Sequence, residues 1–358
     1  MRSLILWIIR TLGRYTAIGL FALWVPVFIA WLSFFDQTGG VRYGLLALPV
    51  MLPLTMASVT LLLGVLFAGT RRAPGPYVGR TDASGLWAMW DELAPPKWNQ
   101  TRLLRIDDRF NASISERSRF FGLGFPEVTM TIGLPMLHAL DAKYVRAVVA
   151  HEVGHDACRH TQGLTNLVEF ERTLELVFAM FPPGITVTGT ILWKLLGWLG
   201  DWLTEEHLRL SRSAEREADA KAAKAIGREA YAESLAVFAA HCERYGEVFV
   251  KPIHDGLGRL MHVPPSPLDT LFAETVGPTP GELTPFAQAA YAKPHDKEST
   301  HPVLAEGLAA VGCAQLPAIK PLGPRATLSL VSPEAIEAVR EACRARWERT
   351  IRRHLQLD

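Results

Sequence analysis

The sequence predicts an α+β fold that is mainly α with a small β-sheet and begins with a transmembrane helical hairpin. Three observations predict this fold: two long apolar segments near the N-terminus, an alternating stretch over 126–132, and a helical motif over 151–155. We divide the chain into a membrane hairpin over 1–72, a main domain over 73–330 and a C-terminal amphipathic helix over 331–358.

The two N-terminal segments, at about 15–35 and 43–69, contain no charged residue. Because about 20 apolar residues cross the hydrocarbon core of a bilayer, both segments predict transmembrane helices. Basic residues concentrate outside the pair and flank it on both sides: Arg2, Arg10, Arg14, Arg71, Arg72 and Arg80. This distribution predicts a main domain on the cytoplasmic side of a membrane, such as a bacterial inner membrane.

The most informative motif is His151-Glu152-Val153-Gly154-His155. At 3.6 residues per turn, His151 and His155 project from one face of a helix and can bind one tetrahedral zinc ion. Glu152, beside the first histidine, can hydrogen-bond the water at the open coordination position. The apolar residues Val145, Val148 and Val149 favour a buried helix over the alternative of a solvated helix with two surface histidines.

A catalytic zinc site needs a third protein ligand, and several carboxylates are candidates. Glu169, Glu171 and Glu175 lie within about 25 residues of the motif, but none is part of a recognisable second motif. Glu215 lies much further along, in an alanine-rich helical stretch. If Glu215 is the ligand, Asp219 lies one turn on and could orient a metal-bound histidine.

Several ordered segments resemble the HtpX and CaaX-prenyl-protease type of integral-membrane zinc metallopeptidase. They extend over roughly residues 85 to 315, and they are Asn111-Ala112, Val128 to Leu134, Ala147 to His155 with Arg159-His160, Ser211 to Asp219, and Thr300-His301-Pro302. The resemblance implies a zincin-type metalloprotease domain with one Zn²⁺ per subunit. It implies that His151, His155 and Glu215 are the ligands and that Glu152 is the general base.

The resemblance also implies supporting roles for other residues. Arg212 and Asp219 are expected to position the ligands, and His301 is expected to steady the oxyanion of the tetrahedral intermediate. Relatives usually carry a basic residue several positions after the His-Pro pair, where this chain reads Val303 to Leu308. The alternative for His301 is a His-Pro pair that begins a helix from a surface loop.

The implied reaction is peptide-bond hydrolysis without a covalent enzyme intermediate. Zinc activates water and the scissile carbonyl, while Glu152 takes the water proton and passes it to the leaving amine. A membrane-bound metalloendopeptidase with a role in membrane protein quality control is the leading hypothesis. The alternatives are a catalytically silent membrane scaffold of the same fold and a processing protease for lipidated peptides, which would be expected to have many more membrane spans.

The alternating strand over 127–132 predicts how substrate binds. Its larger apolar and polar side chains alternate, as in a half-exposed strand. In related zinc proteases the equivalent strand edges the cleft, so we expect a polypeptide to bind along it in extended form. The alternative is an ordinary internal strand.

A third apolar region, at about 176–199, must leave all three zinc ligands on one side of the membrane. It supplies too few residues for two full spans. We therefore expect a re-entrant hairpin that breaks at Pro182-Pro183, with a surface helix or a buried core segment as alternatives. Trp193, Trp198 and Trp202 suit an interfacial position.

Composition excludes other classes of function. With 37 basic and 36 acidic residues, the chain offers no electrostatic case for nucleic-acid binding. The four cysteines are scattered and predict no disulfide framework; Cys158, close to the motif, is read as a buried structural thiol. The sequence leaves the physiological substrate and the oligomeric state open.

Overall fold

The computed structural model describes most of the chain. The described residues are 2–37, 40–67, 74–117, 125–157, 166–167, 170–171, 175, 178–179, 182–256, 262–296 and 299–355. Arg71, Arg72, Cys158, Arg159, His160 and Glu169, which the sequence analysis singled out, lie outside these residues.

The described residues form α-helices, a π-helical turn and four strands. The N-terminal helices are α1 (Arg2–Leu12), α2 (Thr16–Ser33) and α3 (Gly40–Phe67). The next elements are β1 (Tyr77–Val78), α4 (Ser84–Leu93), β2 (Thr101–Asp107), β3 (Ala112–Arg117), β4 (Glu127–Gly133), α5 (Leu134–Ala139) and α6 (Ala142–Ala157). The remainder are α7 (Val187–Ile226), α8 (Arg228–Arg244), the π-helical turn Tyr245–Val250, α9 (Lys251–Gly256), α10 (Pro267–Ala273), α11 (Pro280–Tyr291), α12 (Leu304–Ala310), α13 (Thr327–Leu330) and α14 (Pro333–Leu355). The predicted class, mainly helical with a small sheet, is confirmed.

The chain divides into two compact units. The first unit contains residues 1–71 and 159–213, and the second contains 72–158 and 214–358. The predicted apolar insertion at 176–199 therefore belongs to the same unit as the N-terminal helices, and the predicted main domain over 73–330 is divided between the two units.

Within the first unit, α2 and α3 pair as a helical hairpin. The indole N–H of Trp24 donates to the hydroxyl of Thr55 at 3.2 Å, and that of Trp31 donates to the carbonyl of Gly44 at 3.1 Å. Many large apolar side chains of this pair face outward. Across the part of the chain that the structure describes, no helix has both the length and the apolar character that crossing a membrane requires.

The predicted break near Pro182-Pro183 corresponds to a turn. Pro183 and Thr186 form an isolated bridge, Gly184 has a φ of 83°, and α7 begins directly afterwards. Among the described residues before the turn, those at 166–167, 170–171, 175 and 178–179 are helical. Ile9 of α1 is buried against Leu167, Phe170 and Leu203, so this segment shares an apolar cluster with the N-terminal helix.

The sheet of the second unit has the strand order β1-β2-β4-β3. β4 pairs in parallel with β2, where Thr101 lies opposite Glu127, and antiparallel with β3, where Ile114 lies opposite Met130. Among the described strands, β4 is therefore internal, and β1 and β3 lie at the two edges of the sheet. The prediction that strand 127–132 is half-exposed and edges the cleft is wrong, because both of its sides are paired and all of its residues are buried.

Apolar and polar side chains alternate along β4 although neither face of the strand is exposed to solvent. Val128, Met130 and Ile132 contribute to the main apolar core. On the other face, the hydroxyl of Thr131 accepts a hydrogen bond from the guanidinium of Arg105 on β2, which helps to cover the polar side of the strand. Polar residues at alternate positions can thus be buried when a neighbouring long side chain satisfies them.

The same core fixes α6, the helix that carries the histidine motif. Tyr144, Val145 and Val149 of α6 are buried in the core cluster, together with Trp90 of α4 and Ile132 of β4. The apolar face that the sequence predicted for this helix therefore packs on the sheet. Burial of such a face typically contributes about 1.5–3 kcal/mol per large side chain and holds the helix in place.

The C-terminal helix, predicted over 331–358, begins at Pro333 directly after Ser332. The Ser332 hydroxyl accepts a hydrogen bond from the backbone N–H of Ala335, which caps the first turn. Val339, Cys343 and Ile351 of α14 are buried. Its described residues end at Leu355.

Candidate metal centre

Helix α6 brings the two motif histidines together as the spacing predicted. The Nε2 atoms of His151 and His155 lie 3.1 Å apart, and both side chains are mostly buried. Their rings are nearly perpendicular, with an interplanar angle of 86°. Both nitrogens therefore face one small volume beside the helix.

Helix α7 brings Glu215 to the same place. One carboxylate oxygen of Glu215 lies 3.4 Å from His151 Nε2, and the other lies 3.4 Å from His155 Nε2. Donor atoms of the three residues all fall within 4.8 Å of one another. Tetrahedral zinc with bonds near 2.0–2.1 Å requires its donors to be separated by about 3.3 Å. This two-nitrogen, one-oxygen set therefore fits a zinc ion and leaves one coordination position open.

Asp219 lies on the opposite side of the His151 ring from the cluster. Its Oδ1 atom is 2.9 Å from Nδ1 of His151, as expected for a residue that orients this imidazole. The structure adds a residue that the sequence analysis missed: the hydroxyl of Tyr231 on α8 lies 2.7 Å from the same Asp219 oxygen and 2.9 Å from Nδ1 of His151. No motif or spacing marks Tyr231, because the fold of α8 against α7 makes the contact.

Glu152 points toward the edge strand. Its Oε2 atom accepts a hydrogen bond of 3.0 Å from the backbone N–H of Ile114 on β3. Burial raises the pKa of Glu152, and the charges of His151 and His155 act in the opposite direction. The carboxylate is thus held beside the cluster by the strand and is biased toward accepting a proton.

Hydrogen bonds between oppositely charged groups of the cluster shift the pKa values of His151 and Glu215. Burial alone would lower the pKa of His151, but hydrogen bonds to Asp219 and Glu215 outweigh it and raise this pKa to about 10. Burial alone would raise the pKa of Glu215, but hydrogen bonds to His151, His155 and His301 hold it well below its usual range. Glu215 is therefore a firmly ionised group, as a carboxylate ligand must be.

His301 approaches the cluster from the loop before α12. Its Nδ1 atom lies 3.0 Å from Oε1 of Glu215, although 70% of its side chain is exposed. The hydrogen bond to Glu215 raises the pKa of His301. The structure therefore places His301 at the cluster and also on a surface loop, and its role toward an oxyanion stays a prediction.

The remaining candidates lie elsewhere. Arg212 is half-buried on α7, three residues before Glu215, and its positioning role stays a prediction. Glu171 contacts Nδ1 of His207 at 2.9 Å, within the first unit. Glu175 is exposed. The described geometry thus favours Glu215 among the candidate carboxylates.

A cavity of about 1010 Å³ opens beside the cluster. His151, Glu152, Glu215 and His301 line one part of it. Apolar side chains also line the cavity, among them Ala147, Val148, Leu235, Phe238, Ala239, Cys242, Ala290 and Leu304, together with the charged side chains of Glu243, Lys293 and Asp296. A cavity with a few convergent polar groups and an apolar extension is the usual form of a small-molecule or peptide side-chain site.

Comparisons with known proteins bear on the site. The model of peptidase family M48 matches residues 102–312, which include β3, β4, the histidine motif and Glu215. Among solved structures, Ste24p from S. mikatae matches with 17% identity, 86% coverage of this chain, 67% coverage of that chain and a TM-score of 0.38. The comparison with curated proteins found no match. The family match spans more than half of the chain and confirms the resemblance drawn from the sequence: the chain belongs to peptidase family M48, a family of metallopeptidases.

Proposed function

We propose that this protein is a zinc-dependent metalloendopeptidase whose metal is held by His151, His155 and Glu215. The observation that carries the proposal is the convergence of these three side chains beside Glu152 at the wall of a large cavity. Family membership supports the metallopeptidase activity, and the donor set and separations support zinc.

Each residue of the site has a separate role in peptide-bond hydrolysis. When bound, zinc polarises the scissile carbonyl and makes water a better nucleophile near neutral pH. Glu152 removes the proton from the attacking water and then delivers it to the leaving amine. His301, from the loop before α12, donates a hydrogen bond to the oxygen that gains negative charge.

The edge strand β3 is the proposed substrate-binding strand. In an antiparallel ladder, alternate residues turn their backbone groups to opposite sides. The N–H of Ile114 points away from β4, because it reaches Glu152, and so Ala112 and Glu116 turn the same way. An extended polypeptide can add to this side of β3 by main-chain hydrogen bonds, which tolerate many side chains.

The apolar part of the cavity supports a preference for large apolar side chains next to the scissile bond. Ala147, Ala239 and Ala290 leave space between the helices, and Phe238 supplies an aromatic wall. A buried large apolar side chain is stabilised by about 1.5–3 kcal/mol relative to an exposed one. Such segments are exposed in unfolded proteins, which is consistent with a role in membrane protein quality control.

Attachment to a membrane is part of the proposal. The outward-facing side chains of α2 and α3 support it: Leu23 is 72% exposed and Leu46 is 69% exposed. A surface of this kind is costly in water and favourable in lipid. Basic residues concentrate before α2 and after α3 in the sequence, at Arg10, Arg14, Arg71, Arg72 and Arg80, and this excess outside the α2–α3 pair supports a cytoplasmic protease unit. Alkaline extraction of membranes from expressing cells tests this point, since a peripheral protein would be released.

The central experiment compares purified wild-type protein with Glu152→Gln for cleavage of unfolded casein. The substitution removes the base but leaves the metal ligands, so we expect equal zinc content and cleavage reduced by about 100-fold or more. Glu217→Gln, on a different face of α7, is the matched control and should cleave normally. Equal cleavage by wild type and Glu152→Gln at equal zinc content would show that casein is not hydrolysed at this site.

A further inference from the structure

Three polar atoms from three different helices form a closed triangle behind His151. Nδ1 of His151 on α6 lies 2.9 Å from Oδ1 of Asp219 on α7 and 2.9 Å from the hydroxyl oxygen of Tyr231 on α8. The third side, between Tyr231 and Asp219, measures 2.7 Å. Every side of the triangle is within hydrogen-bonding distance.

The protonation of the three groups determines which of them donates each hydrogen bond. Nε2 of His151 faces Glu215 and His155, so it must keep a lone pair for the metal, and Nδ1 must carry the proton. An ionised Asp219 can only accept, so the phenolic proton of Tyr231 goes to Asp219. The Tyr231 oxygen then remains free to accept, together with Asp219, from Nδ1–H. The donor and the acceptor of each hydrogen bond in the triangle are therefore fixed.

The position of Tyr231 is set by packing and not by the site. Tyr231 is 2% exposed and belongs to an apolar cluster with Ala147, Ala150 and Leu308. The turn that precedes α8 contains Gly227 with a φ of 94°, a conformation that favours glycine. A buried, rotationally restricted hydroxyl loses little entropy when it orders its neighbours.

We propose that Tyr231 is a positioning residue that fixes the tautomer and ring plane of His151 through Asp219 and thereby tightens the metal site. This inference rests on the proposed zinc centre. Tyr231 is not proposed as a catalytic residue, because its hydroxyl lies on the Nδ1 side of the imidazole, away from Glu152 and the donor cluster. Groups that hold a metal-binding histidine from behind typically contribute 10- to 100-fold to metal affinity.

The chain offers a closely matched control in Tyr144. This residue is 1% exposed on α6, and its hydroxyl donates to the carboxylate of Glu233 at 2.6 Å. Tyr144→Phe therefore removes the same atom from an equally buried tyrosine that also bonds a carboxylate, but the carboxylate is not part of the metal centre.

The experiment measures zinc affinity of the full-length protein by competition with a chromophoric chelator, for wild type, Tyr231→Phe and Tyr144→Phe. We expect Tyr231→Phe to bind zinc about 10-fold more weakly and Tyr144→Phe to bind within about two-fold of wild type. Cobalt substitution gives a second readout, since a freer His151 ring should alter the visible absorption of the Co²⁺ protein in Tyr231→Phe alone. In an Asp219→Asn background, Tyr231→Phe should have little further effect.

Several outcomes would overturn the inference. Equal zinc affinity in Tyr231→Phe and wild type would do so, and so would equal weakening by Tyr144→Phe or full additivity with Asp219→Asn. Failure of wild type itself to bind zinc would instead refute the proposed function. If Tyr231→Phe does not fold, p-aminophenylalanine at position 231 replaces it: the variant keeps a donor toward Asp219, and a loss of affinity equal to that of Asp219→Asn contradicts the proposal.

Discussion

Gly154 of α6 lies directly against Ala218 of α7. A Cβ atom added to Gly154 would be 3.0 Å from both the Cα and the carbonyl oxygen of Ala218, closer than side chains normally approach a backbone. Ala218 itself is fully buried. This contact lets the two helices approach closely enough for Glu215 to reach the histidines, so the glycine of the motif has a role in packing.

Gly154→Ala should weaken the metal site as well as the fold. The added methyl group pushes α6 from α7, and we expect a loss of about 1–3 kcal/mol in unfolding free energy together with weaker zinc binding. Gly200→Ala is the control, because no atom lies within 4 Å of its added Cβ and alanine favours the helix. Chemical denaturation and zinc titration measure the two effects. Unchanged zinc affinity in Gly154→Ala would contradict this account of the contact.

Glu215→Gln should remove zinc binding. The substitution keeps the shape of the side chain but takes away the negative charge that faces His151 and His155. Residues that hydrogen-bond a metal ligand contribute about 10- to 100-fold to metal affinity. Loss of the ligand itself should therefore weaken zinc affinity by at least about 100-fold. Metal analysis after gel filtration measures the loss. Glu175→Gln, at an exposed carboxylate that was an earlier candidate, should retain zinc, and the reverse pattern would assign the ligand to Glu175.

Ile114→Pro should separate catalysis from metal binding. Proline has no N–H, so Glu152 loses its partner on β3, while the ladder with β4 is kept because this N–H points away from it. We expect about a 10-fold lower kcat/KM, since one hydrogen bond to a charged group contributes about 1.5 kcal/mol, with unchanged zinc content. Ile114→Val keeps the N–H and should retain activity. Normal kcat/KM in the proline variant would rule out a role for this bond.

Ala239→Leu tests the apolar part of the cavity. The larger side chain fills space between the helices, so peptides with a large apolar residue beside the scissile bond should lose about 10-fold or more in kcat/KM. Peptides with alanine at that position should be affected less. Ala230→Leu, at an exposed position of the same helix, should change neither. An equal loss for both peptide classes would argue against side-chain selection by this cavity.

His138→Gln tests a pH dependence of folding stability that does not involve the metal centre. Burial, together with the charges of Arg325 and Arg340, lowers the pKa of His138 to about 4. The unfolded chain therefore binds a proton near pH 6.5 that the folded chain refuses until about pH 4, so stability falls with decreasing pH across this window. Over the whole window, the unfolding free energy should fall by about 3 kcal/mol because of His138.

Urea unfolding at pH 7 and pH 4.5, with chelator present in both samples, measures this contribution. Glutamine keeps an acceptor for the guanidinium of Arg325, which lies 2.5 Å from His138. It does not titrate, so the variant should lose less stability than wild type between the two pH values. An identical loss in both proteins would show that His138 does not contribute.

Local sequence was enough to predict the arrangement of the histidine motif. His151 and His155 must share a helix face because the helical period requires it, and Glu152 must lie beside them. The resemblance implied that Glu215 is the third ligand and that Asp219 supports it, some 60 residues away, and the family match includes both residues. Local periodicity also predicted the apolar face of α6 and the helix that begins after Ser332.

Three features could be read only from the folded chain: the strand that borders the site, the unit to which the apolar segment at 176–199 belongs, and the contact of Tyr231 with Asp219. Alternation in β4 looks the same whether its polar face is solvated or is covered by Arg105. Tyr231 reaches the centre because it packs in one apolar cluster with Ala147 of α6 and Ala222 of α7. Gly154 matters because Ala218 lies opposite it. These are contacts between residues distant in sequence, and they depend on how helices and strands pack and not on the local pattern within any one of them.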